Sequence, residues 1–272
     1  MLCLFHYFNL LSIDAVLVAL AWQEVLARTV PMQLSWQERA LLGISVWVVY
    51  VVDHLLDASR KTSEETLNTR TLNNSAPRHC FVKNNSVLLL IAIGTTLLLD
   101  LVLAFNLPWP LLLAGMALGA LTGAYLLLNT FLLARGIWPR GKEVAIAVIF
   151  SLGCGLISLV DTPHRLQLFP WIIALALLGT INCILIARME RGVPLELLSH
   201  DIIPSPGWLV LLGALLFLTS RYYSIPPIAE AVLISLFGLS LIPKIAKRFG
   251  YETASLATDG ALFLGACLTL LN

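Results

Sequence analysis

The stretch "VVYVVDHLLDASRK" (residues 48–61) decides the fold, because it joins an apolar helical segment to a charged end. Asp53 and Asp57 are four residues apart, and residues at that spacing lie on one face of an α-helix. Tyr50 precedes this pair by about one turn, and Arg60 follows it by about one turn. Ionisable side chains are costly inside a membrane, so the two aspartates are candidates for function.

The composition extends this interpretation to all 272 residues, of which 58% are hydrophobic and only 12% charged. Soluble domains are about 25% charged, so the low value predicts an integral membrane protein. A net charge of +1 disfavours nucleic acid as a partner. The five cysteines are scattered without a CxxC pair, which disfavours a disulfide framework or zinc site. The first residues lack a basic region, so we expect no cleaved signal peptide.

Apolar segments separated by turn residues predict an all-α membrane bundle of nine transmembrane helices, forming one domain over 1–272. Most segments have the roughly 20 apolar residues that a spanning helix needs, and the seventh is the shortest. The predicted segments are 10–28, 39–58, 86–106, 108–134, 143–160, 168–189, 207–221, 225–243 and 254–271.

The distribution of lysine and arginine predicts the orientation of the bundle. Thirteen of these residues fall in the connections after segments 2, 4, 6 and 8, and four fall on the opposite side. Because basic residues concentrate on the cytoplasmic side, we expect those connections and the amino terminus there. We expect a multi-pass protein of a bacterial inner membrane in this orientation.

Two long connections, 59–85 and 190–206, follow the second and sixth segments on this predicted cytoplasmic side. Long loops in compact domains are often functional. We therefore expect 48–85 and 182–206 to form a site together. Within the first connection, "SEETLNTR" predicts a separate short helix with Ser63 as its N-cap.

The spacing of Asp53 and Asp57 suits a specific task. Paired carboxylates hold hard cations such as magnesium, and the magnesium can in turn hold a phosphate group. A second interpretation is that both aspartates lie among the lipid headgroups and pair with Arg60, Lys61 or His54.

The layout resembles the UbiA-type intramembrane prenyltransferases, which place one aspartate motif at the end of helix 2 and another at the end of helix 6. The family's first motif, Asn-Asp-x-x-Asp-x-x-x-Asp, falls on residues 49–57. Asp53 and Asp57 match its last two aspartates, whereas Val49 and Tyr50 replace its first two residues.

The second motif falls on "NCILIARMERG" (182–192), offset by 133 residues from the first. Asn182 and Glu190 match it, but Cys183 and Ile186 stand where carboxylates are expected. The first half of the chain therefore resembles the family more closely than the second half. "RGKEVAIAVIFSLG" (140–153) is also similar to the family's basic entry into helix 5.

The resemblance implies transfer of an isoprenoid chain from its diphosphate to an aromatic or lipid acceptor, with Mg²⁺ as cofactor. It implies Asp53 and Asp57 as catalytic residues and metal ligands, with Glu190 as a third ligand. The implied diphosphate-binding residues are Arg60, Lys61, Lys142 and Arg188. The implied residues of the substrate cavity are Trp47, Tyr50, Tyr125, Asn129 and Asn182.

Two other functions remain open at this stage. The incomplete second motif favours a noncatalytic membrane protein that binds an isoprenoid or another lipid. A transporter of ions or small solutes would instead gather Asp14, Asp100 and Asp259 near the middle of the membrane. We expect Asp14 to face a neighbouring helix, Asp100 to be solvated, and Asp259 to hydrogen-bond between helices or line a cavity.

Overall fold

Every secondary-structure element in the described part of the chain is helical. The computed structural model describes residues 11–65, 84–135, 141–163, 165–190 and 227–271. In these ranges the eight helices are α1 (Ile13–Thr29), α2 (Trp36–Glu65), α3 (Ser86–Ala104), α4 (Trp109–Ala134), α5 (Lys142–Asp161), α6 (Arg165–Glu190), α7 (Pro227–Phe249) and α8 (Tyr251–Leu271).

Local sequence signals set several of the helix ends. Before α2, the Ser35 hydroxyl accepts from the backbone N–H of Glu38 at 3.2 Å, and the Glu38 carboxylate accepts from the backbone N–H of Ser35 at 2.6 Å. This reciprocal pair is a capping box. Gly250 separates α7 from α8 with a φ of 89°, a left-handed conformation that glycine adopts without steric cost.

Helix α1 lies at the centre of the bundle. It packs against α2, α5, α7 and α8, although it is only 17 residues long. Trp22, Val25 and Leu26 are fully buried in the main apolar core, which also contains Leu175 of α6. Among the described helices, α1 is therefore the element that connects α2, α5, α7 and α8.

Helices α3 and α4 lie at the periphery. Helix α3 packs on α2, and α4 packs chiefly on α5. Both expose large apolar side chains, including Leu90, Leu98, Leu127 and Phe131. Such surfaces suit contact with lipid chains rather than water.

Six of the described helices are long and apolar enough to cross a membrane, which is consistent with a multi-pass membrane protein. These spans are Trp36–Leu56, Ser86–Ala104, Trp109–Leu132, Lys142–Asp161, Arg165–Met189 and Pro227–Arg248. Eight of the nine predicted segments coincide with a helix. The remaining predicted segment, 207–221, lies outside the described residues.

The prediction of a separate short helix after segment 2 was wrong. Helix α2 continues without interruption to Glu65, so Ser63 lies inside a helix rather than at an N-cap. Loss of hydrophobic character at Asp57 marks the end of the apolar span, and the charged residues that follow retain adequate helix propensity. The apolar span ends at Leu56, nine residues before the helix does.

The bundle has two distinct ends. At the end where α1 finishes and α2 begins, which we name the outer end, Arg39 of α2 forms a 2.9 Å ion pair with Glu24 of α1. At the same end, Arg28 of α1 donates to the backbone carbonyl of Leu270 at 2.9 Å. We name the opposite end, where α2, α6 and α7 finish and α1, α5 and α8 begin, the inner end.

Candidate functional site at the inner end

The stretch that opened the sequence analysis lies at the inner end of α2. Tyr50 and His54 are one turn apart, with ring centroids separated by 6.3 Å in an edge-on arrangement. Asp53 lies between these two residues in the sequence, and its side chain is partly buried. Its charge interacts electrostatically with the Tyr50 hydroxyl. Asp57 follows in the same helix, but its side chain lies outside the described residues.

A second polar contact joins α6 to α8. Asn182 is buried, with 6% of its surface exposed, and its Nδ2 donates to Asp259 Oδ1 at 2.8 Å. The amide orientation follows from this bond, because the opposite orientation would place two oxygens against each other. Among the described residues, Asn182 Oδ1 has no hydrogen-bond partner. The contact therefore leaves one buried acceptor unused.

Electrostatic interactions connect these two groups. Besides Asp53, the charges of Asp14 and Asp259 and the Cys183 thiol interact electrostatically with the Tyr50 hydroxyl. The Cys183 thiol in turn interacts electrostatically with Lys142 and Glu143 of α5. Five helices thus contribute to what we call the inner polar cluster. Its members are Asp14, Tyr50, Asp53, Lys142, Glu143, Asn182, Cys183 and Asp259.

The inner polar cluster is rich in negative charge. It contains four carboxylic acids, Asp14, Asp53, Glu143 and Asp259, and one lysine, Lys142. Partial burial weakens the screening of these charges by water. Such a cluster attracts cations and hydrogen-bond donors, and it accepts an anionic ligand only with added positive charge.

The polar groups lie near the inner ends of their apolar stretches. Asp53 lies three residues before the end of its span at Leu56, and Asp259 lies three residues after the start of its apolar stretch at Leu256, each roughly 5 Å along the helix axis. Asn182 lies seven residues before the end of its span at Met189, which is roughly 10 Å. The three residues therefore belong to the inner part of the bundle.

The donor set suits a hard cation. Carboxylate and amide oxygens are the ligands that magnesium prefers, and magnesium often uses only one or two carboxylates together with water and substrate phosphates. Within the described ranges, no group of three or more His, Cys, Asp or Glu side chains is arranged to hold a metal ion. The side chains of Asp57 and Glu190 lie outside the described residues. The cluster thus supplies the type of oxygen donor that a magnesium site uses.

The structure describes the side chains of two of the four predicted diphosphate-binding residues. Lys142 begins α5 and acts electrostatically on Cys183, so it belongs to the inner polar cluster. Arg188 is partly buried in the last turn of α6. The side chains of Arg60 and Lys61 lie outside the described residues, although both positions are helical in α2.

The predicted cavity residues divide into two groups. Tyr50 and Asn182 belong to the inner polar cluster. Trp47 instead packs with the apolar contact between α2 and α3, and its Nε1 donates to the carbonyl of Leu11 at 3.0 Å. Tyr125 and Asn129 lie one turn apart on α4, where Asn129 is buried. Helix α4 packs chiefly on α5, so these two residues approach the bundle from its periphery.

Sequence reasoning left the role of Asp259 undecided between lining a cavity and bonding another helix. The second alternative is confirmed by its bond to Asn182. The carboxylate lies beside the helical turn in which Cys183 and Ile186 replace the expected acids. A polar residue within an apolar helix was the only available signal, because 77 residues separate the two partners.

The expectation that Asp100 is solvated was wrong. Asp100 is partly buried, and its Oδ2 accepts from Ser45 Oγ at 2.9 Å between α3 and α2. Burial of a carboxylate among apolar helices favours a polar partner, and Ser45 supplies one. Asp14 of α1 interacts electrostatically with Tyr50 of the neighbouring α2.

No family model, no curated protein and no solved structure matches the chain.

Proposed function

We propose that this protein is a UbiA-like membrane prenyltransferase, which moves an isoprenoid chain from its diphosphate to an acceptor with Mg²⁺. The observation that carries the proposal is the inner polar cluster, where Tyr50 and Asp53 of α2 share one electrostatic environment with Asn182 and Cys183 of α6. These are the two helices on which the sequence places related motifs. The electrostatic interaction between Tyr50 and Cys183 supports a single site formed by both.

The charge of the cluster supports a cation-dependent site. Four acids would repel a diphosphate unless a cation lay between them. When bound, Mg²⁺ would neutralise the diphosphate and make it a better leaving group. Asp53, Asp57 and Glu190 would hold the metal, and Lys142, with Arg60, Lys61 and Arg188, would bind phosphate oxygens. The surrounding apolar helices would keep water from the reactive carbon.

The same proposal includes nine membrane helices and a bacterial inner-membrane location. The basic residues that follow α2 and α6 support a cytoplasmic inner end. The isoprenoid tail would lie in membrane lipid.

The alternatives differ in specific observations. A transporter was expected to gather Asp14, Asp100 and Asp259. Asp14 and Asp259 share the inner polar cluster, but Asp100 is bonded to Ser45 between α2 and α3. A noncatalytic isoprenoid-binding protein would use the same inner end, and turnover measurements distinguish it from the transferase.

Binding of farnesyl diphosphate to the purified chain in lipid nanodiscs is the first test. We expect binding with Mg²⁺ and its loss with a chelator. Asp53→Asn combined with Asp57→Asn should weaken the Mg²⁺-dependent binding roughly 100-fold, because two charged metal ligands are lost.

Asp100→Asn is the matched control, since it also neutralises a partly buried acid but lies outside the inner polar cluster. Its farnesyl diphosphate affinity should equal that of the native chain. Binding that is indifferent to both Mg²⁺ and the two aspartates would contradict the proposed mechanism.

Lys142 offers an independent test of the phosphate side of the site. Lys142→Met keeps the length of the side chain and removes its charge, so we expect roughly tenfold weaker farnesyl diphosphate binding. Lys244→Met is the control, because Lys244 is exposed on α7. Equal losses in the two variants would show that Lys142 acts only through the general surface charge.

A further inference from the structure

A buried amide at the outer end has no role in the proposed transferase reaction. Gln23 of α1 is 1% exposed, and its Nε2 donates to the backbone carbonyl of Glu38 in the first turn of α2 at 3.5 Å. The opposite amide orientation would set two oxygens against each other. Among the described residues, Gln23 Oε1 has no hydrogen-bond partner. Because an unpaired buried acceptor is costly, a ligand that satisfies this oxygen would stabilise the bundle.

Helix α5 brings further oxygen atoms to the same level of the bundle. Asp161, the last residue of α5, interacts electrostatically with Glu38. Ser158 lies one turn earlier and is 1% exposed, and its Oγ has no hydrogen-bond partner in the described ranges. The adjacent Ile157 packs in one apolar cluster with Ala27, which is one turn from the buried amide on α1. Helices α1, α2 and α5 therefore meet here.

The two carboxylates of this group lie outside the ion pairs of the outer end. Arg39 pairs with Glu24 at 2.9 Å, and Arg28 donates to a backbone carbonyl of α8. Among the described residues, no lysine or arginine forms an ion pair with Glu38 or Asp161. Two like charges thus act on each other without a basic partner, next to two buried oxygens that lack hydrogen bonds.

We propose that these groups, which we name the outer oxygen cluster, bind one Ca²⁺ ion. The members of the outer oxygen cluster are Gln23, Glu38, Ser158 and Asp161. Calcium accepts carboxylate, amide and water oxygens in a flexible geometry, whereas Mg²⁺ demands a nearly ideal octahedron. Two negative charges match a divalent ion, the amide supplies a neutral ligand, and the Ser158 hydroxyl can hydrogen-bond a water on the ion.

A bound ion would join α1, α2 and α5 at the outer end. The inference is independent of the proposed transferase function, because the inner polar cluster lies at the opposite end of the bundle.

Terbium luminescence tests the inference with no diphosphate present. Tb³⁺ occupies calcium sites and emits when a nearby tryptophan is excited. Trp22 precedes Gln23 directly, and Trp36 begins α2 two residues before Glu38. In phosphatidylcholine nanodiscs, with empty nanodiscs subtracted, we expect sensitised emission that Ca²⁺ removes with a Kd of roughly 0.1–1 mM. Mg²⁺ should compete about tenfold less well.

Three variants address the ligands directly. Glu38→Gln and Asp161→Asn each remove one charged ligand, so each should weaken Ca²⁺ binding about tenfold. Glutamine also serves in a capping box, so Glu38→Gln keeps the start of α2. Gln23→Met removes the buried amide oxygen without changing the charge, and we expect about threefold weaker binding. A general attraction of cations would leave this third variant unaffected.

Glu230→Gln is the matched control, because it removes one acid in the first turn of α7, whose main contact is with α8. Its Ca²⁺ affinity should stay within about twofold of the native value. The combined change of Asp53→Asn and Asp57→Asn should likewise have no effect, and a loss there would place the ion at the inner end and overturn the inference.

Other results would also reject the site. These are the absence of emission that Ca²⁺ removes, unchanged affinity in both Glu38→Gln and Asp161→Asn, or an equal loss in Glu230→Gln. A loss in the two acid variants without any loss in Gln23→Met would reduce the site to a general attraction of cations and would equally reject it.

Discussion

Replacing Trp22 with alanine is expected to lower the free energy of unfolding by about 3 kcal/mol. Trp22 is completely buried in the central helix α1, where its ring contributes to the main apolar core. The value lies toward the lower end for such substitutions because unfolded helices in a membrane remain in apolar surroundings. The loss therefore comes chiefly from the packing contacts around the cavity. Unfolding in a denaturing detergent measures it.

Trp36→Ala is the matched control for this prediction. Trp36 begins α2 and is 66% exposed, so its removal leaves no cavity. We expect its effect to remain within about 0.5 kcal/mol. Equal destabilisation by the two substitutions would contradict the central position of α1.

Gly265→Ala is expected to destabilise the contact between α7 and α8 by about 1–3 kcal/mol. A Cβ at position 265 would lie 2.7 Å from the backbone oxygen of Ala231 and 3.0 Å from the backbone nitrogen of Ser235, and it would also meet the Ser235 hydroxyl. Backbone atoms cannot move aside as a flexible side chain can. The two helices must separate, and thermal unfolding in detergent should show a lower midpoint.

Gly260→Ala should have the opposite sign, although it lies in the same helix. A Cβ at Gly260 meets no heavy atom within 4 Å among its described surroundings. Alanine is more favourable than glycine within a helix by roughly 0.5–1 kcal/mol, so a small gain is expected. A loss of stability in both variants would indicate that close packing at Gly265 is not the cause.

The apolar segments were predictable because length and hydrophobicity act locally along the chain. The boundaries of α5 were predicted to within one residue, 143–160 against Lys142–Asp161. The end of α2 was not, since helix propensity continued after the apolar span had finished. Hydrophobicity predicts the part of a helix that can cross a membrane, but the helix itself can continue beyond that part.

The candidate site was only partly predictable for a different reason. Tyr50, Asp53 and Lys142 could be identified because each carries a polar or charged group at the end of an apolar segment. The pairing of Asn182 with Asp259 could not, because it depends on which helices are neighbours. Asp100 shows the same limitation, since its partner Ser45 lies 55 residues earlier in the chain.

The central position of α1 also constrains the order of assembly during synthesis. Two of its packing partners, α7 and α8, follow it late in the sequence. The bond from Arg28 to Leu270 joins residues 242 positions apart, so it cannot form until α8 has been synthesised. Until then, the surface of α1 that packs on α7 and α8 lacks these contacts. Truncation before α7 would therefore leave this helix without two of its neighbours.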